Sequence, residues 1–267
     1  MSVIALILVA GVGAWLMLAD GVVDAAGPEG PLPLPPVPPR IATGLEYERC
    51  LGLLTTEPES AAVLARAWVE RGGGEPAVHC RALSRLALGE PVEAAEELER
   101  LASASTSPPA TRAAVLEQAT QAWLIAGIAT RAHKTATDAL ALTPDHPTLL
   151  IERATASAQL ERHAEVVADL AQALRLDPRR ADALVLRAAA LRQLERTTEA
   201  RADVTAALAL DPDNPEALLE RGILRQRDRN DAGARADWER IIERAPDSAA
   251  ADLARQNLAL LEAGPSR

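Results

Sequence analysis

ALALDPDNPEALLERG, residues 207–222, reads as a helix end, a turn and a new helix start. Asp211-Pro212 halts one apolar pattern. Asn214-Pro215-Glu216 opens the next, with Asn as the cap and Pro at the first helical position. Similar punctuation recurs on both sides. Pro144, Pro178, Pro212 and Pro246 are each 34 residues apart. A fixed period of this size is the mark of a solenoid.

With these prolines as position 32, units begin at Ala113, Pro147, Ala181 and Pro215. Position 4 is then Leu116, Leu150, Leu184 and Leu218. Position 8 is Thr120, Ala154, Ala188 and Gly222. Position 20 is Ala132, Val166, Ala200 and Ala234. Positions 27 and 28 are Ala139-Leu140, Ala173-Leu174, Ala207-Leu208 and Ile241-Ile242. Small residues recur where two helices must approach closely, and aliphatics where the gap must be filled. Polar or Gly residues near positions 14–17 end the first helix, so each unit is a pair of antiparallel helices.

This pattern resembles the tetratricopeptide repeat (TPR), whose period is 34, with small residues at positions 8 and 20 and Pro at 32. The resemblance covers roughly residues 45–263. It departs at the aromatic landmarks: position 4 is Leu throughout where the family has Trp. It implies an all-α, right-handed superhelical solenoid of antiparallel helix pairs. Full units are expected at 113–146, 147–180, 181–214 and 215–248. LALGEPVEAAEELERLA, residues 86–102, places Gly89, Ala94 and Leu101 in an earlier unit, 75–112, with four extra residues held as a loop at Ser107-Pro108-Pro109. Residues 45–74 read as a degenerate hairpin closed by Gly72-Gly73-Gly74. Residues 249–263 read as a capping helix covering the last apolar face, followed by a tail, 264–267.

The composition agrees with an all-helical chain. It is 48% hydrophobic but 2% aromatic, so Ala, Leu and Val must build the core, and Ala and Leu are strong helix formers. Net charge is −10, and no Lys/Arg block stands free of acids, which argues against a nucleic-acid binder. VIALILVAGVGAWLMLA, residues 3–19, carries no charge and precedes the repeats. Residues 1–26 are therefore expected to be a signal peptide or membrane anchor, placing the chain in the periplasm or cell envelope. Residues 27–44 form a Pro-rich linker. PEGPLPLPPVPP within it has seven prolines and favours an extended spacer of roughly 35 Å.

Catalytic signatures are missing from the sequence. It has no GxxxxGK[ST], no GxSxG and no HExxH, and His79, His133, His146 and His163 are scattered. No enzyme activity, cofactor, metal or small-molecule substrate is expected. The two cysteines, Cys50 and Cys80, fall in the first helices of the first two pairs. Such helices pack side by side in a TPR array, so the resemblance implies a disulfide, which an exported chain favours. The other reading is two buried thiols acting as small hydrophobes.

The resemblance further implies that positions 2, 5, 9 and 12 face a concave groove. The candidate partner-binding residues are Glu117, Gln121, Leu124, Ile151, Thr155, Val185, Ala189, Arg192, Leu219 and Ile223. The basic set with which chaperone-binding TPRs hold a C-terminal carboxylate is missing. An aliphatic centre with a mixed polar rim suits a peptide or amphipathic helix of a protein partner. Packing of Ile151, Val185 and Leu219 against neighbouring first helices is the competing reading. The expected function is a non-catalytic envelope scaffold or adaptor. An accessory subunit of an envelope-polymer enzyme and a structural spacer or self-assembling subunit are the alternatives.

Overall fold

The computed structural model describes residues 40–263. The expected export segment, most of the Pro-rich linker and the tail lie outside them. Within them the chain is an all-helical array packed in sequential pairs. The pairs are α1 (Leu45–Leu53) with α2 (Pro58–Glu70), α3 (Gly74–Ala87) with α4 (Pro91–Ala104), and α5 (Pro109–Ile125) with α6 (Ala129–Leu142). They continue with α7 (Pro147–Gln159) and α8 (His163–Leu176), α9 (Ala181–Gln193) and α10 (Thr197–Leu210), and α11 (Pro215–Arg227) and α12 (Asp231–Arg244). The single helix α13 (Ala249–Ala263) follows. Two compact units divide inside α7, one ending at Glu152 and the other starting at Arg153.

Local chemistry sets the helix ends. Pro58, Pro91, Pro109 and Pro215 open their helices, where a missing N–H costs nothing. At the turn before α11, the Asn214 side chain accepts the Ala217 N–H at 2.8 Å. Each first helix from α3 to α11 stops at the same device. The residue at position 15 takes a left-handed conformation: Gly89 and Gly127 in two pairs, then Glu161, Glu195 and Arg229 at φ 59°, 60° and 61°. The next N–H reaches back to a carbonyl of the last turn, as in Ile128 to Trp123 (3.0 Å) and Arg196 to Leu191 (2.8 Å).

Small-residue positions are the contact points of the core. Ala132, Val166, Ala200 and Ala234, and likewise Ala139, Ala173, Ala207 and Ile241, are fully buried. One expectation is corrected. The four extra residues before Ala113 do not lengthen a loop. Pro109 begins α5, which has 17 residues where α7, α9 and α11 have 13. Proline at the first helical position allows the helix to start there, with Pro108 as its cap residue.

Candidate partner-binding face

The expected groove residues lie on first helices, and most are covered. Leu124, Ile151, Val185, Ala189, Arg192, Leu219 and Ile223 are buried, Val185 with 4% of its surface exposed. Glu117, Gln121 and Thr155 are half-buried. The aliphatic stripe is thus part of the packing, because a first helix meets neighbouring first helices as well as its own partner. The contacts of α9 with α11 and of α1 with α3 show this directly.

Polar groups on this face are largely spoken for. Arg192 forks onto Glu220, with Nε 2.8 Å from Oε2 and Nη2 3.1 Å from Oε1, and both side chains are buried. The pair joins α9 to α11. Gln121 donates to Glu152 at 2.7 Å and so joins α5 to α7. His146 Nε2 lies 3.8 Å from Glu117. Burial pushes the Glu117 carboxyl up, and the neighbouring His146 pulls against it. Burial likewise raises Glu216 at the start of α11. Polar ties thus join α5 to α7 and α9 to α11, with donors at different positions of the repeat unit.

A regular feature escaped the sequence reading. Arg153, Arg187 and Arg221 each fork onto a carboxylate of the second helix in the same pair: Asp169, Asp203 and Asp237. The distances run from 2.6 to 3.0 Å. Arg81 holds Glu97 in the equivalent place, with Nε 2.8 Å from Oε1. Both ends share the repeat period, Arg at position 7 and acid at position 23, so the signal was available. It was hidden because Arg and acidic residues are frequent throughout residues 40–263. The pair α5–α6 has Ala119 and Thr135 at those positions. There Glu99 of α4 receives Trp123 Nε1 (2.9 Å), Arg131 Nη2 (2.6 Å) and the Thr135 hydroxyl. Burial alone would raise Glu99. These three donors outweigh it and hold the carboxyl below its ordinary range.

At the N-terminal end the structure joins Cys50 of α1 to Cys80 of α3 as a disulfide, with Cα atoms 6.2 Å apart. Beside it runs a buried chain of hydrogen bonds. Tyr47 Oη lies 2.7 Å from His79 Nδ1, and His79 Nε2 lies 2.6 Å from Gln118 Oε1. Gln118 Oε1 accepts, so Nε2 carries the ring proton and Nδ1 accepts from Tyr47. Burial lowers the His79 pKa to about 4, and the bond to Gln118 only partly opposes this. Among the described residues, no group of three or more His, Cys, Asp or Glu is placed to hold a metal ion. No described helix is long and apolar enough to cross a membrane.

The stacked pairs and the ties between their first helices define a helix-pair repeat protein. The family model described as tetratricopeptide repeat matches residues 216–248. No curated protein matches the sequence significantly. Solved structures share the fold at low identity. PilF of Pseudomonas aeruginosa is 19% identical, with TM-score 0.64, over 80% of this chain and 95% of its own. YrrB, described as a TPR protein with an unusual peptide-binding site, is 18% identical, with TM-score 0.56, over 73% and 97%. A thermophilic TPR protein of Thermus thermophilus is 22% identical, with TM-score 0.55, over 70% and 100%.

Proposed function

We propose that this chain is a non-catalytic adaptor of the cell envelope that holds a peptide or amphipathic helix of another protein against the face built by its first helices. The observation that carries this reading is the stacked array itself. Within a compact unit, stacking sets equivalent positions of neighbouring first helices side by side, which makes a surface for an extended or helical segment. YrrB, whose description includes a peptide-binding site, shares this array. Burial of the aliphatic stripe moves the contact to the less covered positions. Thr155 and Gln226 are half-buried and Asp182 is exposed. The partner then meets a polar, acid-bearing rim over a closed apolar floor. Charge there sets orientation and rate of encounter more than affinity. Residues 3–19 supply export or anchoring in this reading.

Photo-crosslinking residues placed one at a time at Asp182 and Gln226 should capture a common partner in intact cells. The same residue at Thr205, exposed on a second helix, should not. Capture from Thr205 alone would move the interface elsewhere. A reporter enzyme that works only after export, fused after residue 45, should be active; an inactive fusion would place the chain in the cytoplasm.

A further inference from the structure

We propose that α1 is a releasable strap, latched to α3 by the Cys50–Cys80 disulfide and the Tyr47–His79 hydrogen bond, so that loss of the disulfide lets acid detach it. The geometry is specific. α1 has nine residues, and its buried side chains are Tyr47 and Cys50, which are three residues apart and so share one helix face. Each makes one chemically addressable bond to adjacent residues of α3. The Tyr47 ring also packs 6.5 Å from the Trp68 ring of α2, and its hydroxyl receives the Ile41 N–H. Gly44 caps it with no side-chain bond, and Leu45 is 92% exposed. The ion pairs Arg40–Glu48 (3.0 Å) and Arg71–Glu46 (3.2 Å) lie in solvent, where such pairs contribute little. At its far end Leu54 is buried with Ala61 and Leu83, against which Leu51 and Leu53 pack. That cluster is the hinge. A helix of this length does not persist alone in water.

The two latches respond to different agents. A dithiol reductant supplies two electrons and two protons. The S–S bond breaks, two thiols form, and the reductant closes to its own disulfide. Acid acts on the second latch. Protonated imidazole has no acceptor, so a proton on Nδ1 forces the Tyr47 hydroxyl to turn from donor to acceptor, leaves its buried O–H without a partner and puts a charge in an apolar site. The ring faces Tyr47 from α1 and Gln118 from α5, and neither is charged at neutral pH. From the flanking helices α2 and α4, Arg71 is tied to Glu46, and Glu97 to Arg81 and Arg85. No carboxylate is thus positioned to hold an imidazolium in place. Once freed, α1 uncovers the face of α3 that carries His79 and Cys80.

Hydrogen exchange on the full-length chain tests this, with rates corrected for the intrinsic effect of pH. Oxidised wild type and Cys50→Ala/Cys80→Ala are compared at pH 7 and pH 5. Oxidised protein should protect residues 45–53 at both. In the cysteine variant, protection there should fall roughly 20-fold from pH 7 to pH 5, the ratio expected if release returns His79 to its ordinary value. Residues 109–125 should remain protected. Adding His79→Gln to the variant should abolish the pH step. Equal protection of α1 at both pH values in the cysteine variant would overturn the proposal. So would joint loss of protection in α1, α3 and α5, which would mean that α1 is part of the cooperative fold.

Discussion

Gly222 and Trp238 show how one residue can depend on another sixteen positions away. A Cβ on Gly222 would overlap the Trp238 indole nitrogen and ring. The equivalent pairs in other units are Thr120 with Ala136, Ala154 with Leu170, and Ala188 with Val204. Where the second helix brings a larger side chain, the first gives up its own. Gly222→Ala should therefore destabilise the C-terminal unit by about 1–3 kcal/mol, despite the better helix propensity of Ala. Adding Trp238→Leu should recover much of that loss, and urea denaturation of both variants checks it. An additive loss in the double variant would show that the two sites are uncoupled. Val185 is the matching test of the stripe. Its burial means that Val185→Glu sets an unpaired carboxylate among packed helices, at a cost of about 3 kcal/mol or more. A variant that melted like wild type would instead mean that the stripe opens readily to solvent.

The helix pair is the unit that the Arg–acid ladder secures. Arg187 and Asp203 bridge α9 and α10 with two short hydrogen bonds, and the carboxylate is nearly covered. Removing Arg187 alone leaves that carboxylate without its partner. Arg187→Met is expected to cost about 2–4 kcal/mol, less than a fully buried pair because the guanidinium keeps some contact with water. The double variant Arg187→Met/Asp203→Leu should regain most of this, since two apolar side chains of similar size can replace the pair. If the double variant is as unstable as the single, the ladder provides more than mutual neutralisation. Its recurrence from pair to pair suits a role in fixing helix register within each pair.

At the scale of the whole molecule, acid acts first at the N-terminal end. His79 is neutral in the native state because burial lowers its pKa from 6.5 to about 4. Between these values the unfolded chain binds a proton that the native chain does not. Stability of the N-terminal unit is therefore complete above pH 6.5 and is lost as pH falls towards 4, by roughly 3 kcal/mol in all. Urea titrations of wild type and His79→Leu at pH 7 and pH 4.5 isolate this. The variant is less stable at pH 7, but its loss on acidification should be smaller, by roughly 2 kcal/mol over this pH window. Equal losses in the two proteins would mean that His79 is not the group that titrates.

The repeat, the helix pairs and the packing role of the small residues were legible in the sequence, because each is periodic or local. A 34-residue interval names equivalent positions, and Pro, Asn and Gly mark helix ends wherever they stand. The two cysteines could be paired because the resemblance set their helices side by side. What lies across from a residue is a different kind of information. Ile151, Val185 and Leu219 share a position, but periodicity does not say how much of it a neighbouring first helix covers. The four added residues could have lengthened a loop or a helix, and the choice fell to the start of α5 at Pro109. Arg192 looked like a rim charge until Glu220 was seen to hold it. Burial and partnership are set by the approach of helices remote in sequence, so the tertiary structure alone decided them.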